Sequence, residues 1–334
     1  MPVERWCYAD ATVDGPVLAA PANPFLVGKQ RPIVVGHRGV PAVHQENTLA
    51  GFRRAVALGV PAIELDVRLT RDRQAVVLHD DDLDRLTGAP GNVNDLTWDQ
   101  LSRRQIRSVL PMGIDAHGAQ VIARYERSEP IPLLAEVLAE VSSDVALNIE
   151  LKLDLVRWWP VEVGEVVAQV IAAAKAEHRV IVTSFDPRKL RAARRARPGL
   201  ALGFCFDDSM LDFARGLLDR LPPIAGELVP DDRRPGHNGR RVLSRILDAD
   251  LVGRFLSTRV VGAEHTLVGA DTVRRLHRQG IAVGTHTLFP LGSTTGKPIA
   301  ASANMPAEVD RLVRLGIDWI ETDDPERLMT LVYR

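Results

Sequence analysis

The chain has almost no cysteine: Cys7 and Cys205 are the only two in 334 residues, far apart and outside any metal or redox spacing. That argues against a disulfide framework and fits a reducing compartment. There is no surplus of charge either. Its 42 basic and 43 acidic residues leave a formal net charge of -1, so no bulk pull toward nucleic acid or a membrane surface is implied. No run of about 18 apolar residues occurs, the length that a spanning helix needs. Met1 to Ala20 carries Glu4, Arg5, Asp10 and Asp14 and lacks an unbroken apolar stretch, so no signal peptide is read there. These absences lead to the expectation of a cytoplasmic protein with no nucleic-acid partner and no transmembrane segment. A Gly-rich phosphate loop is also missing after the first apolar run, and no repeat of fixed period stands out.

What is present reads as a soluble enzyme, with 46% hydrophobic and 25% charged residues. Residues 1–30 are Pro- and Ala-rich without periodicity and are expected to form an irregular arm on the surface. From Pro32, strand and helix patterns alternate. Expected strands are Ile33–Gly36, Ala62–Val67 with a hairpin partner Ala75–Leu78, Val145–Leu151, Arg179–Thr183, Leu200–Phe206, Ser257–Val261, Ile281–Thr285 and Asp318–Glu321. Expected helices lie between them: Thr48–Leu58, Leu133–Val141, Pro160–Lys175, Pro187–Ala196, Leu211–Leu221, Arg241–Phe255, Asp271–Gln279, Ala307–Leu315 and Pro325–Leu331. Residues 84–130 break the alternation, with Gly88, Pro90, Gly91, Gly113 and Gly118 among polar residues and short helical pieces such as Trp98–Ile106, and are read as an insertion. About eight strands alternating with helices predict a (β/α)8 barrel over 31–334, an architecture of roughly 250 residues plus insertions. A doubly wound open sheet is the alternative.

In such barrels the chemistry sits at the C-terminal ends of strands. His37 ends the first strand, and Glu64 and Asp66 lie two apart on the second, so both carboxylates project to one side. His79-Asp80 closes the hairpin partner, where Asp80 is placed to fix the imidazole tautomer. Glu150 and Lys152 repeat the pattern on the third strand, and a plain ion pair at the rim is the bland alternative there. Paired oxygens beside two histidines suit a hard divalent cation next to an acid–base pair. Other features carry less. The basic run Arg188 to Arg197 is read as a solvated helix face, Asp81, Asp82 and Asp84 as a solvated turn, and His44 and His265 as bystanders near the mouth.

In order, His37-Arg38-Gly39, Glu46-Asn47-Thr48, Glu64-Leu65-Asp66, a strand ending His79-Asp80, and Ile149-Glu150-Leu151-Lys152 resemble the glycerophosphodiester phosphodiesterases. The likeness continues in Leu83 to Gly88, Ile131 to Leu134 and Ile320 to Pro325, and so runs from about residue 32 to the C-terminus. It implies a barrel with a small insertion after the second strand and one divalent metal ion, Mg2+ or Ca2+, on Glu64, Asp66 and Glu150. His37 and His79 would be the general acid and base. Arg38 and Lys152 would neutralise phosphate oxygens, while Glu46 would orient Arg38 or stand outside the metal's ligands. The expected reaction splits a small-molecule phosphodiester into glycerol 3-phosphate and an alcohol.

Two departures from the family pattern stand out. Gln45 replaces a proline before Glu46. At the seventh strand's end, His286-Thr287-Leu288-Phe289 replaces Trp-Thr-Val-Asn, so that a polar ring including the substrate-binding candidate His286 takes the place of an aromatic wall on the glycerol side. The Gly/Ser/Thr-rich loop Pro290 to Asn304, with Lys297, is either a cover for the mouth or a slack surface loop. Rival readings are a phospholipase D-like enzyme acting on lysophospholipid, for which Leu288, Phe289 and Leu291 hint at a groove, and a non-catalytic phosphate- or lipid-binding barrel. A metal amidohydrolase would want His-x-His after strand one, which His37-Arg38-Gly39 does not supply. The oligomeric state is open.

Overall fold

The computed structural model describes residues 23–26, 28, 30–153, 161–207, 210, 237–249, 251–293 and 305–334. The expected helix Leu211–Leu221, the Trp158-Trp159 pair before Pro160 (expected to pack under the barrel's edge rather than to face lipid) and the body of the 290–304 loop lie outside those residues.

The strands, in chain order, are β1 (Ile33–Gly36), β2 (Ala62–Leu69), β3 (Ala75–Val77), β4 (Gln105–Ile106), β5 (Val109–Ile114), β6 (Gln120–Arg124), β7 (Glu129–Pro130), β8 (Ala146–Leu151), β9 (Val180–Ser184), β10 (Ala201–Phe206), β11 (Val260–Glu264), β12 (Ala282–Leu288) and β13 (Trp319–Thr322). Eight of them, β1, β2 and β8 to β13, pair in parallel, and β1 meets both β2 and β13, so the sheet closes on itself. This is the expected (β/α)8 barrel. Strand β3 adds antiparallel to the overhanging end of β2.

Alternation along the strands makes two cores. Outward residues such as Val34, Ile63, Leu65, Leu147, Ile149, Val182 and Ile320 pack under the helices. Inward residues near the strand starts, among them Val35, Ala62, Ala146, Ile181 and Trp319, form a smaller apolar plug. Trp319 fills the barrel because Gly284 opposite has no side chain; a Cβ there would lie 1.7 Å from the indole. Higher up, the inward positions turn polar. Thr183 donates its hydroxyl hydrogen to Asn148 Oδ1 (2.8 Å), and Asn148 Nδ2 donates to Glu321 Oε1 (2.7 Å). The barrel interior is therefore an apolar plug at one end and a polar, hydrogen-bonded layer toward the other.

Several boundaries differ from expectation. Of the arm's few described residues, Gly28 and Gln30 are exposed, while Phe25, in a short turn Pro24–Leu26, is fully buried against Trp319 with ring centroids 5.5 Å apart. The strand expected at Ser257–Val261 begins at Val260, because Ser257 takes a left-handed φ of 53° that ends the preceding helix. The helix expected at Arg241–Phe255 is two, His237–Ala249 and Leu251–Leu256. Within the insertion, the helical piece stops at Leu101, and the chain then forms two small antiparallel pairs, β4–β7 and β5–β6. These lobe strands cover their own cluster of Val76, Leu78, Leu83, Leu86, Ile106 and Leu110.

Candidate active site

Register brings the acids together. Asp66 on β2 sits beside Glu150 on β8, and Glu64 sits beside Asn148. One carboxylate oxygen from each of Glu64, Asp66 and Glu150 lies within 4.8 Å of the others. Lys152 Nζ approaches Glu150 Oε1 (2.9 Å) and Asp66 Oδ1 (3.3 Å), so the bland ion pair and the acidic cluster are one assembly. Burial, and then the charges of Asp66, Glu321 and Glu150, push the Glu64 carboxyl well above its usual range. Burial alone would also raise Asp66, but Lys152, His79 and Arg38 hold it well below. Glu64 Oε1 is buried without a hydrogen-bond partner. A hard cation accepting oxygen ligands supplies what that atom lacks, so the cluster fits Mg2+ or Ca2+.

The turn after β1 is shaped for the same cluster. A Cβ on Gly36 would lie 2.3 Å from the Gly39 carbonyl, so the chain reverses there only without one. Arg38 takes a left-handed φ of 54°, a strained backbone for a non-glycine residue. Its N–H donates to Glu64 Oε2 (2.9 Å), which holds the turn against the acids. The next motif distributes its three residues as an assembly kit. Thr48 accepts from the Gly51 N–H and caps the helix Leu49–Ala57. Asn47 donates to Asp66 Oδ2 (2.8 Å) and accepts the Asp66 N–H (3.1 Å). Glu46 accepts from Arg38 (3.1 Å) and twice from Arg85 (2.8 and 2.9 Å). Burial would raise Glu46, yet Arg85 and Arg38 bring it down to about 2.

Both expected histidines are anchored alike. His37 Nδ1 lies 2.6 Å from Asp323 Oδ1, and His79 Nδ1 lies 2.6 Å from Asp80 Oδ1. A carboxylate at Nδ1 fixes the proton there and leaves Nε2 for exchange. His37 Nε2 stands 4.0 Å from Glu64 Oε2. Burial, with the charges of Arg38 and Lys152, lowers His79 to about 4, so it is neutral at pH 7.

These groups line one open cavity of about 440 Å³ at the C-terminal end of the barrel, together with Phe185, Asp207, Glu264, His265 and His286. All of the expected site residues are thus near one another, with Glu64 and Asp66 buried just beneath the cavity's lining. His286 meets the Phe185 ring edge-on (5.9 Å, 75°), and burial lowers it to about 4. The sequence reading gave no role to Asn47, Arg85 or Asp323, although all three lie in quoted motifs and the third also follows β13. His265 lines the cavity. Lys189 does not lie on a solvated face: it is 2% exposed and donates to the Lys152 carbonyl. Leu288 and Phe289 are buried and Leu291 packs on the lobe, so the hinted apolar groove does not form from them. Loop residues Pro290, Gly292 and Ser293 line the cavity, and Ser293 exchanges backbone hydrogen bonds with Ile114 of the lobe (2.9 and 3.1 Å).

The model of the glycerophosphoryl diester phosphodiesterase family matches residues 37–327. The chain is 27% identical over 300 residues to a glycerophosphodiester phosphodiesterase of Caldanaerobacter subterraneus subsp. tengcongensis, a match covering 90% of this chain and 97% of that one. It is 35% identical over 173 residues to another of that description from Bacillus altitudinis, covering 51% and 64%. Among solved structures, a glycerophosphodiester phosphodiesterase of Parabacteroides distasonis aligns with a TM-score of 0.61 at 18% identity, covering 92% of this chain and 98% of that one. An Oleispira antarctica phosphodiesterase in complex with the product sn-glycerol-3-phosphate aligns with a TM-score of 0.58 at 19% identity, covering 91% and 98%. At these identities the structural matches speak for the fold alone.

Proposed function

The chain belongs to the glycerophosphoryl diester phosphodiesterase family, and from that premise we propose that it hydrolyses a glycerophosphodiester to glycerol 3-phosphate and an alcohol, using one divalent cation and the pair His37 and His79. The observation that carries the reading is the pair of equal histidine–carboxylate contacts, 2.6 Å each, beside a cluster of three carboxylates with an orphaned oxygen. Glu64, Asp66 and Glu150 would hold Mg2+ or Ca2+. When bound, the ion offsets phosphate charge that would otherwise repel an attacking oxygen.

The chain's own residues supply the rest. Arg38 and Lys152 face the same cavity and neutralise phosphate oxygens, with Glu46 holding Arg38 in place. One histidine accepts the nucleophile's proton on Nε2 while the other delivers one to the leaving alkoxide, each transfer being worth typically about 10²- to 10⁴-fold. Asp323 and Asp80 sit at Nδ1 and leave Nε2 as the exchanging nitrogen of both rings; the ring that delivers a proton begins the step protonated on both nitrogens, and the ring that accepts one ends it so. His286, across the cavity, contacts the substrate's organic part. The scarcity of cysteine supports the cytoplasm as the place of action. A lysophospholipase D reading finds less support, since Leu288, Phe289 and Leu291 turn away from the cavity.

The test follows phosphorus NMR of glycerophosphocholine, glycerophosphoinositol and lysophosphatidylcholine with Mg2+, Ca2+ or chelator. Metal-dependent release of glycerol 3-phosphate is expected, lost in His37→Ala and Glu64→Gln, with Glu64→Gln also weakening cation binding by calorimetry. Turnover that survives chelation, or persists in His37→Ala, would reject the mechanism.

A further inference from the structure

Arg85 lies in the insertion, on the one-turn helix Asp84–Thr87, and does not line the cavity. All five of its guanidinium N–H groups are nevertheless engaged, four of them by the carboxylates of Glu46 and Asp80. Nε donates to Asp80 Oδ2 (2.5 Å), and Nη1 donates to Glu46 Oε2 (2.9 Å) and the Pro111 carbonyl of β5 (3.4 Å). Nη2 stands between the other two oxygens, donating to Glu46 Oε1 (2.8 Å) and Asp80 Oδ1 (3.1 Å). Those same two oxygens hold the reactive groups: Glu46 Oε1 accepts from Arg38 Nη1 (3.1 Å), and Asp80 Oδ1 lies 2.6 Å from His79 Nδ1. One chain of contacts therefore runs His79, Asp80, Arg85, Glu46, Arg38, and both of its ends line the cavity.

A guanidinium that only fastened the lobe to the barrel would need no such placement. The lobe is fastened elsewhere: Tyr125 donates its hydroxyl hydrogen to the Pro41 carbonyl (2.7 Å), and Gln45 donates to the Arg127 carbonyl. The two carboxylates, in turn, need a cation between them. Glu46 is fully buried and the Asp80 side chain is 18% exposed, so without Arg85 two desolvated anions would face one another. Burial would raise Asp80, but His79 and Arg85 hold it well below its usual range, and it stays an acceptor for the imidazole. Arg85 is also held from behind, its carbonyl accepting from Arg107 Nε (3.0 Å). The other histidine has no such backing, since Asp323 leans on the neutral Leu291 N–H (2.7 Å). We propose that Arg85 is a positioning residue that, through Glu46 and Asp80, sets the Arg38 guanidinium and the His79 ring as one unit, so that the insertion is part of the catalytic machinery. This deepens the hydrolase reading and rests on it.

The test compares wild type, Arg85→Lys and Arg85→Met by two readouts. The first is steady-state kinetics with Mg2+ on glycerophosphocholine, glycerophosphoinositol and bis(4-nitrophenyl) phosphate. An ammonium keeps the charge but lacks the planar fork, so it reaches one carboxylate at a time. Arg85→Lys should lower kcat at least about tenfold and Arg85→Met at least about 10²-fold, the lower end of what one proton transfer contributes. Both should raise KM as Arg38 loosens, and the lysine variant guards against an Arg85→Met that fails to fold. The second readout is nitrogen-15 NMR of histidine-labelled protein, which needs no turnover, with His79 assigned by its loss in His79→Ala. Wild type should show the Nδ1–H tautomer of His79, and either variant should shift that signal toward a mixture of tautomers. Kinetics of Arg85→Lys within about threefold of wild type overturn the positioning role and leave the hydrolase reading intact. So does a loss of kcat with KM and the His79 signal both unchanged, the mark of a smaller folded fraction. No turnover of any diester by wild type overturns the hydrolase reading, and the ring spectra still decide whether Arg85 holds His79.

Discussion

Replacing Asp323 with asparagine changes one oxygen to an NH2 group and asks what His37 needs. Asp323 has two duties: Oδ1 faces His37 Nδ1 at 2.6 Å, and Oδ2 accepts the Leu291 N–H at 2.7 Å. In Asp323→Asn the amide oxygen goes to Leu291, because a backbone donor cannot be met by an NH2 group. The new NH2 then faces Nδ1, moves the imidazole proton to Nε2 and removes the acceptor that proton exchange requires. If Asp323 were merely a hydrogen-bond partner, its loss would cost about 1.5–3 kcal/mol, roughly 10- to 150-fold if all of it fell on the reaction. If it sets the tautomer, the full contribution of one proton transfer is at stake, about 10²- to 10⁴-fold. Steady-state kinetics on the best diester, with Mg2+ saturating, should therefore show kcat falling at least about 10²-fold with KM nearly unchanged, and a thermal midpoint close to wild type because the loop anchor survives. A kcat within about threefold of wild type, or a loss confined to KM, would refute the tautomer argument.

Gly284→Ala tests the plug: with a Cβ placed 1.7 Å from the Trp319 ring, destabilisation should exceed the ~1–3 kcal/mol usual for overpacking, seen as insolubility or a large fall in urea midpoint. Glu321→Gln tests the polar layer above it. Burial raises that carboxyl to about 7, whereas the unfolded chain ionises it near 4.5, so wild-type stability should fall as pH climbs through that window. The gap corresponds to at most about 3 kcal/mol; glutamine keeps the acceptor for Asn148 and should make the variant more stable than wild type at pH 8 and no more stable at pH 4.5, by chemical denaturation at both pH values.

The strands were legible because each carries a short apolar run between turn-forming residues, and β1 and the helix Pro187–Ala196 have the bounds expected of them. The acids were legible because Glu64 and Asp66 repeat at the period of a strand. What escaped was partnership across the chain. His37 meets Asp323 across 286 positions, and Asn148 meets Glu321 across 173; no local spacing encodes such pairs. Lys189 escaped for a related reason: in a helix full of arginine it looks solvated, and only the packing of that helix against the end of β8 explains its burial. The lobe was legible as an insertion but its strands were not, and β4 and β7, of two residues each, are too short to show a period.

Closure of the sheet between β1 and β13 has a kinetic meaning. The acidic cluster and His79 come from the first half of the chain and can meet once β2 and β8 pair, but His37 acquires Asp323 only when residue 33 finds residue 319. Contacts this distant in sequence are slow to form. In refolding, cation binding should thus return before turnover does, and the delay between the two would time the moment at which the last strand docks beside the first.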